Sequence, residues 1–151
     1  MNWQAHSQNA FITAGVAAAA TTVAATLLSR AETTHPAAAL NATSHIVWGD
    51  DAAAVDDADL RHTALGAFLN AGAMLAWAGV QELLPRSKSV GGAVVKGAFV
   101  TALAYVTDYY VVPKRLTPGF EKRLSSRNLA LIYASMAAAL SLGALLTARR
   151  H

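Results

Sequence analysis

The chain has 151 residues, enough for one compact unit, with 54% hydrophobic and 14% charged residues, where an average soluble domain has about 25% charged. That balance excludes a water-soluble protein with a single core, because too much apolar sequence would be left facing water; the excess is expected to face lipid. Cysteine is absent, which excludes disulfides and thiol chemistry, and the net charge of +3 sits at the ends of apolar segments, where lipid headgroups rather than nucleic acid are the expected partner.

A helix that crosses a bilayer needs about 20 mostly apolar residues. The first such segment covers about 10–29, from Ala10 to Ser29, without an ionisable side chain. Its flank, Met1 to Asn9, has no Lys or Arg, so the basic start of a signal peptide is missing and a retained membrane helix is expected. Small residues run nearly all round it, with Gly15, Ala19 and Thr22 on one side and Ala14, Ala18 and Ala25 elsewhere. Such residues let helices approach closely inside lipid.

The first loop follows, from about Arg30 to His62. Thr34-His35-Pro36 reads as a helix start, with Pro at the first helical position. A short helix over about 36–48, with Leu40, Ser44 and Val47 along one face, is expected to lie at the membrane interface, anchored by Trp48 and stopped by Gly49. Asp50, Asp51, Asp56, Asp57 and Asp59 come next, part of them suited to the start of the following helix. His35, His45 and His62 share this loop with Asp50 and its neighbours, which are ligand types for a divalent metal, although the spacing matches no metal motif.

The second membrane segment covers about 63–82, where Leu69, Gly72, Ala76 and Gly79 make a smooth stripe for packing. Asn70 sits well inside it, and Thr21, Thr22 or Ser135 would satisfy its amide. A tight turn with Arg86 and Lys88 leads to the third segment, about 91–112, ended by Pro113. Gly97 and Thr101 supply its close-packing positions, and Tyr105, Tyr109 and Tyr110 its aromatic anchors. Lys96 and Asp108 are the charges inside this segment, about 18 Å apart along a helix axis. Intramembrane charges are functional candidates, so Lys96, Asp108 and Asn70 form a transport set; near the helix ends, the same charges would reach the headgroups instead.

The third loop is basic, with Lys114, Arg115, Lys122, Arg123 and Arg127 against Glu121, and these cations are expected at anionic headgroups. Thr117-Pro118 would start a brief amphipathic turn with Phe120 and Leu124 facing lipid, and Ser126 would cap the next helix. That last segment covers about 128–148 and carries the ladder Ser135, Ala139 and Gly143. The first and third loops hold seven Lys and Arg, against Arg86, Lys88, Arg149 and Arg150 on the other side, which places both termini outside the cytoplasm.

Long apolar runs without period-2 alternation exclude a membrane β-barrel. The expected fold is a single all-α domain, a four-helix transmembrane bundle with a short interfacial helix in the first loop. No Gly-rich phosphate loop, serine nucleophile elbow or His-Glu-x-x-His motif occurs, and no cofactor is expected. The stretches Asn41 to Asp50 (NATSHIVWGD) and Asp108 to Glu121 (DYYVVPKRLTPGFE) resemble those of small, uncharacterised bacterial inner-membrane proteins. The resemblance implies that setting and transfers no activity or site. The expected role is structural or accessory, as partner or subunit of a larger membrane assembly. A homodimeric transporter or channel is the alternative, and a membrane metal protein or enzyme using the first loop a further one.

Overall fold

A computed structural model describes residues 3–148. Among them are helices α1 (Trp3–Thr33), α2 (Ala38–Thr43), α3 (His45–Trp48), α4 (Leu65–Leu83), α5 (Val90–Val106) and α6 (Ser126–Ala148). A π-helical turn, Leu60–Ala64, leads into α4, and a second, Thr107–Val111, continues α5. Four spans, Trp3–Thr33, Leu60–Leu83, Val90–Val111 and Ser126–Ala148, are long and apolar enough to cross a membrane. Helix α1 packs on α4 and α6, and α5 packs chiefly on α6. The all-helical class and the four apolar spans agree with the sequence reading. Arg149, Arg150 and His151 lie outside the described residues.

Hydropathy marks what can sit in lipid, not where hydrogen bonding stops, so α1 runs well beyond 10–29 at both ends. It ends at Thr34, whose φ of 65° is left-handed and strained for a β-branched residue. The start of α6 lies one residue from the expected cap: the Asn128 amide donates to Ser125 Oγ at 3.4 Å, not to Ser126. Glu32, at the end of α1, adds a second cap by accepting from the Ser125 amide at 2.9 Å and Asn128 Nδ2 at 2.6 Å.

The packing faces differ from the small-residue stripes read from the sequence. On α4 the buried residues are Gly66, Asn70, Met74, Ala78 and Gln81, while Gly72 and Ala76 face outward. On α1 they include Ala10, Thr13, Ala14, Ala17, Thr21, Ala25 and Ser29, with Gly15 and Ala19 exposed. Both buried faces carry hydroxyl or amide groups, because polar side chains need partners that lipid lacks. The α6 ladder keeps its inward role at Ala139 and Gly143, and Gly143 lies against Thr13. Gly97 lies against Ser141 and the Ala137 carbonyl, as a close-packing position should.

The first loop folds into the end of the bundle. Its helix breaks at Ser44 into α2 and α3, and Pro36 sits in the turn before α2. Residues 37–45 are all buried, so the expected one-sided face is replaced by burial on every side. Small side chains at Ala37, Ala38, Ala39 and Ala42 let backbone meet backbone: a Cβ on Gly66 would lie 1.9 Å from the Leu40 carbonyl oxygen. Phe120 and Leu124 also join the core instead of facing lipid, at 4% and 6% exposure.

Candidate functional site

The two long loops meet over one end of the bundle through directed polar contacts. Asn41 Nδ2 donates to the Val55 and Asp57 carbonyls at 2.9 Å each, and its Oδ1 accepts from Thr63 Oγ1 at 2.6 Å. Arg115 donates to the Ile46 and Val47 carbonyls at 3.1 and 3.2 Å, where α3 ends. Lys122 pairs with Asp50 at 2.8 Å, and Arg123 pairs with Asp56 while donating to the Ala53 carbonyl at 2.9 Å. Hydrogen bonds from Lys122 and Arg123 hold the carboxyls of Asp50 and Asp56 below the usual aspartate range. Of the five cations assigned to headgroups, Arg115, Lys122 and Arg123 thus serve protein partners; Lys114 and Arg127 are exposed.

The proposed metal ligands do not converge. His45 is fully buried, with Nδ1 2.8 Å from the Ala42 carbonyl and Nε2 3.4 Å from the Lys114 carbonyl, so a backbone oxygen faces each ring nitrogen and the shorter contact suits an Nδ1–H donor. His35 lies 3.8 Å from Asp56, and His62 lies 2.8 Å from Asp59. Asp50 is taken by Lys122. Among the described residues, no three His, Asp or Glu side chains come together as a metal site. Spacing in a loop places ligand types near one another in sequence, but the fold of that loop separated them.

Beneath the clasped loops lies a cavity of about 90 Å³. Loop residues Thr43, Ile46, Leu116, Pro118 and Phe120 cover it, and Met74, Ile132 and Met136 form apolar wall. Its polar lining brings together Thr21, Asn70, Asp108 and Tyr133. Asn70 Nδ2 donates to Thr21 Oγ1 at 2.9 Å and to Thr22 Oγ1 at 3.2 Å, the partners expected from sequence, whereas Ser135 bonds the Ile132 carbonyl. Its carbonyl oxygen is left as the group Asn70 can offer.

Asp108 points into the bundle. Its Oδ2 accepts from Tyr133 Oη at 2.6 Å, and Tyr133 stacks edge-on against Tyr105 with ring centroids 5.2 Å apart. The π-helical turn at Thr107–Val111 rotates this part of the third span, and such turns recur at functional sites. Tyr109 Oη donates to Glu121 at 3.2 Å, and Thr117 Oγ1 donates to the other Glu121 oxygen at 2.6 Å. The carboxylate and the phenols near it are therefore held in place by two separate bonds, one to α6 and one to the third loop.

No family model, curated protein or solved structure matches the chain. The site must be read from its own chemistry.

Lys96 does not share this cavity. It sits towards the opposite end, where Nζ donates to the Leu84 carbonyl at 3.3 Å. Glu82 lies there too, accepting from Asn9 Nδ2 at 3.4 Å and facing His6 at 3.5 Å. The transport set therefore divides into Asp108 with Asn70 at one end and Lys96 at the other. Sequence reading missed Tyr133, Asn41, Glu32 and Gln81. Only Tyr133 carried a signal, as a lone phenol inside an otherwise apolar helix.

Proposed function

We propose that this chain is an integral membrane protein whose bundle holds a small amine between its helices, in an accessory or carrier role rather than an enzymatic one. The observation that carries this reading is the cavity shared by Asp108 and Asn70. A carboxylate oxygen and an amide oxygen, set in a mostly apolar wall with the hydroxyls of Thr21, Thr43 and Tyr133, suit a ligand with a charged donor and a short hydrocarbon body. At about 90 Å³ the space is smaller than the roughly 150 Å³ cavity that accepts benzene, so a short alkylammonium ion such as ethylammonium fits its chemistry.

The membrane setting is tested first: the chain is expected to stay with the membrane after alkaline carbonate extraction, and release into the supernatant would end the reading. For the site, ethylammonium binding to the purified protein is expected to disappear in Asp108→Asn, which keeps the shape and the Tyr133 bond. Binding that survives the substitution, or no binding by the native chain, refutes the amine site.

A second observation favours assembly with another copy. Phe11, Ala14, Gly15, Ala18, Phe68, Gly72 and Leu75 line an open apolar groove between α1 and α4, and nothing lies within 4 Å of a Cβ built on Gly15 or Gly72. That surface is shaped for a further helix. Since the chain has no cysteine, a single Gly72→Cys variant is expected to form a disulfide dimer in membranes. Failure to cross-link there, while a control position on α5 behaves the same, removes the homodimer.

A further inference from the structure

In the third loop Arg115, Lys122 and Arg123 bond protein groups. In the turn at the other end, Arg86 and Lys88 are exposed, and neither side chain forms an ion pair or hydrogen bond among the described residues. Together with Lys96 they line one open groove, where the turn meets α5. No carboxylate lines that groove. Glu82 lies in a separate small pocket with Asn9 and Thr147, which Arg86 and Lys96 also border. It offsets one of the three positive charges and leaves an excess at the groove.

The groove is charged at one end and apolar along the rest. Lys96 stands about 9 Å along α5 from its first residue, yet its Nζ reaches back to the Leu84 carbonyl in the turn at 3.3 Å. A third positive charge is thereby raised to the level of Arg86 and Lys88. An ammonium carries three N–H donors, and this bond uses one. Gly92, Val95, Lys96 and Phe99 recur at spacings of three, one and three, which puts them on one face of α5. Val95 and Phe99 are 69% and 56% exposed. They lie about 8 Å and about 14 Å along the helix from its start, depths that fall inside a hydrocarbon core about 30 Å thick. A soluble anion would meet the cations and leave this apolar floor bare. An amphiphile with its negative charge at the turn and its hydrocarbon along α5 covers both.

We propose that this groove is a binding site for an anionic phospholipid. Its phosphodiester is held by Arg86, Lys88 and Lys96, and an acyl chain lies on Val95 and Phe99. The Arg86 guanidinium offers a fork of N–H donors to two phosphate oxygens, while the two lysines act as point charges. The site rests on the membrane reading above and shares no residue with the amine cavity.

The test is native mass spectrometry of the full chain in detergent, titrated with phosphatidylglycerol or with phosphatidylcholine of the same acyl chains. The native chain is expected to hold phosphatidylglycerol about tenfold more tightly. Arg86→Gln combined with Lys88→Gln is expected to bring the two lipids within about threefold of each other while melting like the native protein. Lys114→Gln combined with Arg127→Gln removes the same charge from exposed positions at the other end and should keep the full preference. Glycerol phosphate, which has the charge without the chains, should not displace phosphatidylglycerol at equal concentration. No preference in the native chain, an equal loss in both double variants, or displacement by glycerol phosphate overturns the site. A chain that resists carbonate extraction yet shows no preference loses this site alone, whereas release by carbonate ends the membrane reading on which it rests.

Discussion

At the end where α1 finishes and α6 begins, the first loop folds down between the helices and the third loop closes over it; at the other end, residues 84–89 simply turn the chain from α4 into α5. The first end is held by directed bonds in which Asn41, Arg115 and Arg123 donate to backbone carbonyls and Glu32 accepts from the Ser125 amide. The second relies on Glu82, Lys96 and a serine cap, Ser89 Oγ accepting from the Gly92 amide at 3.1 Å. The loop residues occupy space that helix side chains would otherwise fill, and the cavity lies directly beneath them. At the turn end the pocket between the helices beside Glu82 has room for about one water, and the larger hollows are open grooves on the outside. Under the buried loop the space between the helices is about 90 Å³.

That contrast breaks most sharply at the glycines under the loops. A Cβ on Gly66 would strike the Leu40 carbonyl, and one on Gly119, where φ is 85°, would lie 2.5 Å from the Ala42 carbonyl oxygen. Gly66→Ala and Gly119→Ala are each expected to lower stability by about 3 kcal/mol, the upper part of the usual overpacking range, measured by thermal melting in detergent. A melt within error of the native protein would show that the loop does not seat there.

A smaller effect is expected at Asn70. Replacing it by Leu removes the bonds to Thr21 and Thr22, and hydrogen bonds between membrane helices are worth about 0.6 kcal/mol on average. The loss should be about 1 kcal/mol in the same melts, and it should be absent once Thr21 and Thr22 are both valine.

The charged clasp sharpens the comparison through pH. Asp50 and Asp56 have carboxyl pKa values lowered in the folded state by Lys122 and Arg123. Their contribution is present above the ordinary aspartate pKa of about 3.9 and is lost as pH falls through the lowered folded values. Melting temperature should therefore fall between neutral and acid pH by a margin that shrinks in Arg123→Ala. The effect should weaken in high salt, most at the Lys122–Asp50 pair, whose carboxylate is exposed, and less at the partly buried Arg123–Asp56 pair. The smallest change is expected at Gly72→Ala, whose Cβ meets open space within the chain. Stability of the monomer in detergent should be unchanged, and a loss confined to the cross-linkable dimer would mark the outer groove as its seat.

Much of the architecture was legible because lipid imposes a length and a composition. The apolar runs near 10–29, 63–82 and 128–148 each fall within a helical span, 91–112 overruns its span by one residue at Val112, and Asn70 found two of its expected hydroxyl partners. Boundaries shifted where hydrogen bonds rather than hydropathy set the limit, as at Thr34 and Ser125. The lipid-facing reading of Phe120 and Leu124 failed, and the candidate metal ligands of the first loop lie apart among the described residues, for one shared reason. Both readings treated the loops as surface, whereas backbone bonds through Asn41 and Arg115 draw them inside.

Composition and periodicity alone determined that this chain forms apolar helices with charge confined to their ends and connections, because unpaired backbone and charge are both costly in lipid. They did not determine which side of each helix would face inward. Small residues lie all round α1 and on two sides of α4, so close approach was possible in several directions. The tertiary structure chose the sides bearing Thr21, Asn70 and Gln81, where the two amides bond Thr21, Thr22 and the Leu140 carbonyl across helix contacts, because an amide, unlike a hydroxyl, does not fold back onto its own helix here. The same choice turned Asp108 towards Tyr133 and made a cavity from residues far apart in the chain.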